Sequence, residues 1–295
     1  MAMFSIVEKK ALAPEIKLYR VLAPRVAAKA LPGHFVVVRV DERGERIPLT
    51  IAGSDPVAGT ITLVVQEVGY STRLMGRLSA GDSLRDVLGP LGTALPIEKV
   101  GTIIGVGGGV GVAPLYPKVR AYKAAGNRVI SIIGARGKDL LILEDEMAAV
   151  SDELLVATDD GTLGHHGLVT DVLREVLARE KEVGEVIAIG PVPMMRAACA
   201  VTKEFGAKTV VSLNSLMIDG TGMCGGCRVT VGGEVKFTCV DGPEFDGHEV
   251  DFGQLWTRLG QYRSYEKKAL ERLEEQDKKD EKEACQCLPV ASAIE

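Results

Sequence analysis

The first third of the chain alternates short β-branched runs with turn residues. The runs HFVVVRV from His34, IPLTIAG from Ile47 and TITLVVQEV from Thr60 are separated by breaks rich in Pro, Gly and Asp. Short strands at this spacing are typical of a small antiparallel barrel or sandwich. We therefore predict an antiparallel β-barrel domain over residues 1–97.

From Val100 the pattern changes to apolar runs of the kind found in strands that are buried on both faces. Strands are predicted at GTIIGV, RVISIIGA, LLVAT, VIAIG and TVVSL, with helix-compatible stretches between them. Strands and helices alternating in this way predict a doubly wound parallel sheet. We assign residues 98–213 to this α/β domain.

Beyond Leu213 the chain is rich in glycine and cysteine as far as Asp251, and it is almost entirely charged over residues 264–283. The first stretch indicates a compact C-terminal segment, residues 214–260, organised around a bound centre. In the charged stretch apolar residues do not recur with a heptad period, so residues 261–295 are predicted to form a solvated helix or a frayed tail.

Composition and charge narrow the class of function. The 295 residues are 46% apolar, and 35 Lys and Arg against 40 Asp and Glu leave a net charge of -5. This balance gives no electrostatic basis for binding nucleic acid or an anionic membrane. The chain has no apolar run of about eighteen residues and no secretory signal pattern, so we expect a cytoplasmic protein without a membrane span.

The strongest local motif is Asp219-Gly-Thr-Gly-Met-Cys224-Gly-Gly-Cys227, followed at a distance by Cys239. Plant-type 2Fe-2S clusters are held by cysteines with four residues between the first pair, two between the next, and a distant fourth ligand. That spacing is kept here with Asp219 in the first position. The glycines permit tight turns and leave N–H groups free to point at sulfur. Asp219, Cys224, Cys227 and Cys239 are therefore predicted to hold a 2Fe-2S cluster.

Zinc is the alternative metal. The same three cysteines, with Asp219 or His248 as the fourth ligand, would form a structural zinc site. Zinc sites usually pair two short knuckles, whereas one tight group plus a remote ligand is typical of a cluster, so the spacing favours the cluster. Two further thiols, Cys285 and Cys287, lie close together in the charged tail, where such pairs are more often incidental than functional.

A glycine-rich stretch, Gly105-Val-Gly-Gly-Gly-Val-Gly-Val-Ala113-Pro114, lies between a predicted buried strand and a helix. Glycines let the backbone approach a pyrophosphate, and a helix N-terminus supplies N–H groups for the anion. The spacing departs from G-x-G-x-x-G, so a tight turn without a ligand is the alternative.

The predicted barrel carries two further motifs, Arg46-Ile-Pro48-Leu49-Thr50 and Gly69-Tyr-Ser-Thr-Arg73. An arginine beside a strand that ends in a hydroxyl residue can hold a phosphate and a ring edge together. An arginine in a charged turn usually contacts only solvent. These two motifs therefore indicate a binding site only in combination with the glycine-rich and cysteine motifs.

Taken in order, the barrel, RxPLT, GGGVGVAP, GPVPMM and the cysteine segment resemble the ferredoxin-NADP reductase superfamily, in the branch that carries a C-terminal 2Fe-2S domain. That branch includes the electron-transfer subunits of dihydroorotate dehydrogenase B. The segment DGTGMCGGCRVTVGGEVKFTCVDGPEFD is similar to the small (alpha) subunits of NADH-dependent reduced ferredoxin:NADP oxidoreductases, also called sulfide dehydrogenase beta subunits. The tail beyond residue 260 is not matched.

The resemblance implies binding sites for FAD, NAD(H) and a 2Fe-2S cluster, the last held by the four ligands named above. The positions that match the family's flavin segments are Arg46, Pro48, Leu49, Thr50, Val65, Gln66, Ser71 and Thr72. The positions that match its nicotinamide-nucleotide pocket are Gly108, Gly109, Val110, Gly111, Ala113, Pro114, Thr158, Asp159, Asp160, Gly161, Gly190, Pro191, Met194 and Met195.

Hydride transfer from a nicotinamide to a flavin needs no acid or base from the protein, so no catalytic residue is predicted, and His165 and His166 are expected to be exposed loop residues. A flavin accepts two electrons together and the cluster accepts one at a time, so the chain is predicted to be an oxidoreductase that converts paired electrons to single ones. No second flavin or cluster motif is present to remove those electrons. We therefore expect a larger partner subunit near residues 215–250.

In the resembled enzymes the partner is a flavoprotein with iron–sulfur clusters, and the pair couples NADH, NADPH and ferredoxin by flavin-based electron bifurcation. Arg136 and Lys138 follow the second strand, where NADP pockets often carry basic groups, but acidic residues follow closely and the resemblance favours NADH. Two alternatives stay open: the electron-transfer subunit of dihydroorotate dehydrogenase, whose cluster has four cysteines, and a zinc-stapled nucleotide-binding module.

Overall fold

A computed structural model describes residues 4–42 and 44–286 of the chain, with side chains described as far as residue 279. The thiols of Cys285 and Cys287, singled out above, therefore lie outside the described part. Among the described helices, none combines the length and the apolar character needed to cross a membrane.

The N-terminal sheet confirms the predicted antiparallel barrel. Its seven strands lie in the order β6-β1-β2-β5-β4-β3-β7, and every pairing is antiparallel. The strands are β1 (Phe4–Ala13), β2 (Ile16–Leu22), β3 (Phe35–Arg39), β4 (Arg46–Asp55), β5 (Thr60–Gln66), β6 (Ser83–Leu84) and β7 (Asp86–Leu91). Two short helices that the strand pattern does not predict, α1 (Pro24–Ala27) and α2 (Tyr70–Arg77), connect strands of this sheet.

The α/β domain confirms the predicted doubly wound sheet. Its strands are β8 (Thr102–Gly108), β9 (Arg128–Ala135), β10 (Glu153–Thr158), β11 (His165–His166), β12 (Glu185–Ile189) and β13 (Thr209–Ser212), all parallel. Its helices are α3 (Val112–Ala124), α4 (Glu144–Val150), α5 (Val169–Arg179) and α6 (Val192–Glu204). The order β11-β10-β9-β8-β12-β13 reverses direction between β8 and β12, and that reversal creates a crevice at the carboxyl ends of these two strands.

The two histidines differ from their expected loop conformation. His165 and His166 form β11, which pairs with Ala157 and Thr158 at the edge of the sheet. Each histidine pairs with one residue of β10, and no local apolar pattern in the sequence predicts this pairing.

The C-terminal segment is continuous with the α/β sheet rather than free-standing. It contains the hairpin β14 (Arg228–Val231) and β15 (Glu234–Phe237), then β16 (Glu244–Asp246) and α7 (Phe252–Leu259). β16 pairs antiparallel with β13 and so covers the open edge of the parallel sheet. Val229, Val250, Phe252 and Leu255 also pack into the core beneath α5 and α6.

The charged stretch forms α8 (Arg263–Gln286), which agrees with a helix. It is not wholly solvated, because it returns to the barrel and lies against α2. Arg73 Nη1 is 2.9 Å from Glu274 Oε1, and Arg77 Nη2 is 2.6 Å from Asp277 Oδ1. Leu273 is the one buried side chain among the described residues of this helix.

Candidate functional site

A cavity of about 810 Å³ lies at the crevice between β8 and β12, where the parallel sheet faces the barrel. Its walls come from the loops that follow these strands and from barrel strands β4 and β5. Both the position at a reversal of strand order and the volume are typical of cofactor sites in α/β proteins.

The loop after β8 forms one wall and depends on glycine. A Cβ atom at Gly111 would overlap the carbonyl oxygen of Ile189, so only glycine lets the loops after β8 and β12 pack together. Gly109 has a φ of +56° and open space where its Cβ would lie, which leaves backbone facing the cavity. α3 begins directly afterwards at Val112, with Ala113 in the wall, so the positive end of a helix dipole borders the cavity.

The barrel forms the facing wall. Pro48, Leu49 and Thr50 of β4 line it, together with Val64 and Gln66 of β5. Side chains alternate across a strand, so Val64 and Gln66 face the cavity while the residue between them faces the barrel core.

The structure brings most of the predicted cofactor residues into this one cavity. Those in its wall are Pro48, Leu49, Thr50, Gln66, Gly108, Gly109, Val110, Gly111, Ala113, Pro114, Asp159, Gly190, Pro191 and Met194. The predicted residues outside its wall are Arg46, Val65, Ser71, Thr72, Thr158, Asp160, Gly161 and Met195.

Several residues outside the wall are engaged elsewhere. Val65 lies in the barrel core and Met195 in the core of the α/β domain. Thr158 is fully buried, and its Oγ1 donates to the carbonyl oxygen of Leu163. Ser71 Oγ donates to Glu45 Oε2 at 2.8 Å, and Thr72 Oγ1 accepts the N–H of Gly69 at the start of α2.

The others lie at the surface or in turns. Arg46 is exposed and stands opposite Arg39 across the β3–β4 pair. Asp160 accepts hydrogen bonds from the hydroxyl and the N–H of Thr162, which lower the pKa of its carboxyl. Gly161 has a φ of +72° and lies against the ring of His166.

The cavity wall also contains residues that no motif indicates. These are mainly apolar or small, and they include Phe35, Ser212, Asn214, Met217 and Pro243. Ser212 ends β13 and Asn214 follows it, so their position after a strand of the sheet was the available signal. Arg136, weighed above for nucleotide preference, lies in the wall, whereas Lys138 does not.

The cysteine loop divides into a buried and an exposed half. Cys227 and Cys239 are buried, and their Sγ atoms are 3.2 Å apart. For comparison, two sulfurs bound to one tetrahedral metal by bonds of ~2.3 Å lie ~3.7 Å apart, which is close to the spacing of this pair. Cys224 is exposed, and its N–H donates to Asp219 Oδ2 at 2.8 Å.

The ionisable groups of the loop are shifted in opposite directions when no metal is bound. Burial, and then the hydrogen bond with Cys227, raise the pKa of the Cys239 thiol to about 12. The N–H of Thr221 and the contacts with Cys224 lower the pKa of Asp219. Backbone N–H groups already point at two sulfurs, from Gly226 to Cys224 Sγ and from Cys239 to Cys227 Sγ, each at 3.4 Å.

The fourth position is better matched by Asp219 than by His248. His248 Nε2 is 2.9 Å from Thr202 Oγ1 on α6, whereas Asp219 is bonded to the backbone of Cys224. Within the described ranges, no three His, Cys, Asp or Glu side chains converge tightly enough to hold a metal ion. For all four residues to hold one metal centre, the exposed half of the loop would have to turn toward the buried pair. Gly222 and Gly225, both at positive φ, lie on either side of Cys224 and would permit this.

A single layer of side chains separates the cavity from the buried cysteines. Phe35 and Met217 line the cavity, and the same two residues pack with Cys227 and Cys239 in one apolar cluster. The two candidate sites therefore share a wall.

Two protein-family models match regions of the chain that contribute to these sites. The iron–sulfur cluster binding domain of dihydroorotate dehydrogenase B matches residues 214–251, and the oxidoreductase NAD-binding domain matches residues 106–200. A Thermotoga maritima protein named as a homolog of the dihydroorotate dehydrogenase B (NAD(+)) electron transfer subunit is 48% identical over 272 residues, covering 92% of this chain and 96% of the relative. The Bacillus caldolyticus electron transfer subunit of dihydroorotate dehydrogenase B is 38% identical over 229 residues, which are 74% of this chain and 86% of that subunit.

A solved structure is similar over nearly the whole chain. It is that of an NADH-dependent reduced ferredoxin-NADP oxidoreductase, described for its insights into flavin-based electron bifurcation. The identity is 47% and the TM-score 0.88, with 92% of this chain and 98% of that chain covered. The chain belongs to the family of oxidoreductase electron-transfer subunits that includes those of dihydroorotate dehydrogenase B.

Proposed function

We propose that this chain passes electrons from NADH through FAD to a 2Fe-2S cluster and on to a larger flavin- and iron–sulfur-containing partner subunit. The observation that carries the proposal is the shared wall of Phe35 and Met217 between the cavity and the buried cysteine pair. Cofactors bound on its two sides would be close enough for electrons to pass without a mobile carrier.

We propose that FAD and the nicotinamide nucleotide bind to different walls of the cavity. We infer that the barrel side, with Pro48, Leu49, Thr50 and Gln66, holds FAD, and that residues 108–111 and 190–191 hold the nicotinamide nucleotide. FAD supplies the conversion of an electron pair into single electrons. The protein binds and orients both molecules, and the mainly apolar cavity wall keeps water away from them.

The four residues Asp219, Cys224, Cys227 and Cys239 are the proposed cluster ligands. Their sulfur and carboxylate donors, together with the N–H groups aimed at sulfur, support a 2Fe-2S cluster over zinc. Three free cysteines in one loop also favour a reducing compartment, and we infer a cytoplasmic location.

The nucleotide is proposed to be NADH, with NADPH and ferredoxin reached through the partner subunit. The carboxylate of Asp159 in the cavity wall is suited to a ribose hydroxyl and would repel a 2′-phosphate. Arg136 in the same wall would favour the phosphate, so the ratio of kcat/KM for NADH to that for NADPH decides between them. A ratio below one would overturn the preference.

A second candidate is the electron-transfer subunit of a dihydroorotate dehydrogenase. The 48% identity to a relative named as such a homolog favours it. Asp219 in place of a first cysteine favours the ferredoxin-linked function. The partner that copurifies with the chain separates the two, because one partner oxidises dihydroorotate and the other reacts with NADPH and ferredoxin.

The test is anaerobic purification of the native complex, followed by flavin, iron and acid-labile sulfide analysis and titration with NADH. We expect stoichiometric FAD, a 2Fe-2S spectrum and bleaching of both by NADH. A preparation that contains zinc and lacks flavin, or a lone chain with full turnover on soluble ferredoxin, would contradict the proposal.

A further inference from the structure

Two guanidinium groups hold the backbone between two of the proposed cluster ligands. Arg228 Nη1 donates to the carbonyl oxygen of Gly225 at 3.0 Å, and Arg258 Nη2 donates to the carbonyl oxygen of Gly226 at 3.0 Å. These glycines are the two residues that separate the second proposed ligand from the third. The two arginines therefore contact both carbonyl groups in the tightest part of the cysteine loop.

These contacts set the direction of two N–H groups. Neither peptide bond is cis, and in a trans peptide the C=O and the N–H point in opposite directions. The peptide whose oxygen is bonded to Arg228 directs the N–H of Gly226 toward Cys224 Sγ, with an N–S distance of 3.4 Å. The peptide whose oxygen is bonded to Arg258 contains the N–H of the buried residue Cys227. Each arginine thus fixes one peptide of the loop.

Arg258 reaches the loop from α7, a helix that is anchored on two faces. Phe252 and Leu255 are buried in the α/β core. On another face, Gln254 Oε1 accepts the N–H and the hydroxyl of Thr230 in β14, each at 3.1 Å. Arg258 lies one helical turn beyond Gln254, so the contact of that helix with β14 also places the guanidinium at the cysteine loop.

The charge of Arg258 has no carboxylate partner in the part of the chain that the structure describes. The residue is half-buried, and among the described residues the carbonyl oxygen of Gly226 is the one acceptor of its guanidinium N–H groups. A guanidinium has five N–H donors, and a cation partly removed from water needs an anion or several acceptors to offset the lost hydration. A 2Fe-2S centre with four anionic ligands would be such an anion, and its negative charge increases on reduction.

We propose that Arg258 is a positioning residue for the cluster and raises its reduction potential. This inference rests on the proposed function, because it requires a 2Fe-2S cluster held by the four ligands named above. The guanidinium charge favours the form of the cluster that carries the additional electron, and the bond to Gly226 keeps the loop peptide in place. A higher cluster potential makes the transfer of one electron from the reduced flavin to the cluster more favourable. Arg228 acts on the neighbouring peptide, but its exposure screens its charge.

The test is a redox titration of the cluster in the holoenzyme with its partner, for the wild type, Arg258→Met, Arg258→Lys and Arg263→Met. The signal is the electron paramagnetic resonance of the reduced 2Fe-2S centre. Arg263 is the matched control, because its guanidinium stacks on Trp256 of α7, with Cζ 5.1 Å from the ring centroid, and Arg263→Met removes the same charge. Iron, acid-labile sulfide and melting temperature are measured on the same samples.

At the potential that half-reduces the wild-type cluster, we expect Arg258→Met to lower the ratio of reduced to oxidised cluster about tenfold. Arg258→Lys keeps the charge but lacks the planar fork, so its ratio should return to within about threefold of the wild-type ratio. Arg263 is exposed, so Arg263→Met should change the ratio less than about twofold.

A purely structural role for Arg258 would lower the melting temperature or the iron content of Arg258→Met and leave the potential of the remaining clusters unchanged, and that result would overturn the proposal. An equal shift in Arg258→Met and Arg263→Met would also overturn it, because net charge alone would then explain the effect. If Arg258→Met retains no cluster, Arg258→Gln takes its place, since it keeps an N–H donor and removes the charge. The same tenfold fall is expected there, and an unchanged ratio would overturn the proposal.

A wild-type complex that contains no iron and no acid-labile sulfide would overturn the proposed function. A wild-type cluster whose potential does not depend on Arg258 would overturn only the role of this arginine. The two failures are therefore distinguishable.

Discussion

Two regions follow the last parallel strand, and they join the rest of the molecule in different ways. Residues 214–251 add β16 to the main sheet, bury two cysteines and bring Glu244 to Lys118. Helix α8 touches the barrel through two exposed ion pairs and one buried leucine. The first region is part of the core, and the second rests on the surface, so changes in the two should differ greatly in effect.

The largest effect is expected for the buried cysteines. Cys239→Ser replaces a proposed thiolate ligand of the cluster, so the 2Fe-2S spectrum and the bound iron and sulfide should be lost completely. Cys199→Ser is the matched control, because Cys199 is also a buried thiol but lies on α6 in the α/β core. Retention of a full cluster in Cys239→Ser would remove Cys239 from the ligand set.

The effect of replacing Asp219 should depend on whether the new side chain supplies a donor atom for the cluster. Asp219→Ala removes the proposed oxygen ligand and three loop hydrogen bonds, so we expect cluster loss, measured as iron per chain. Asp219→Cys keeps an anionic donor and should retain the cluster with a changed midpoint potential. If Asp219→Ala holds a stable cluster of unchanged potential, the carboxylate is not a ligand.

Lys118→Met should destabilise the fold by about 3–5 kcal/mol, because it leaves Glu244 buried with no cation beside it. The free energy of unfolding in urea, measured on the cofactor-free chain, gives this value. The double variant Lys118→Met/Glu244→Leu should recover most of the loss, since it removes the stranded charge. A single variant within ~1 kcal/mol of wild type would show that water reaches Glu244.

The smallest effect is expected at α8. Arg73→Ala/Arg77→Ala breaks both ion pairs to the helix, and such exposed pairs contribute about 0–1 kcal/mol. Global stability should hardly change, while amide exchange in α8 should become faster. Arg174→Ala, which breaks the exposed Arg174–Glu204 pair, should leave exchange in α8 as it was.

The parallel strands were predictable because a strand buried on both faces is apolar throughout. β8 and β9 show this pattern, so their runs stand out in the sequence. β16 has the sequence EFD, and its place in the sheet is decided by the open edge of β13 rather than by its own composition. The short helix α2 was likewise not predicted from the strand pattern around it.

The cavity was predictable where glycine and proline mark a loop, as at Gly111 and Pro191. Single residues of the cavity wall were less predictable, because one must know which face of the helix or strand each residue lies on. Met194 lines the cavity, but Met195 is one helical step further round and faces the core. Ser212 and Phe35 are ordinary residues that tertiary packing brings together, and neither is marked by a motif.

The pairing of β16 with β13 has a consequence for how such proteins can be recombined. The iron–sulfur segment shares its sheet, its buried ion pair and its apolar core with the nucleotide-binding domain, so it is not a detachable module. A chimera that transplants residues 214–251 onto a foreign reductase would need a host with an unpaired strand edge and a lysine facing it. Engineering that exchanges redox centres in this family should therefore move the two domains together.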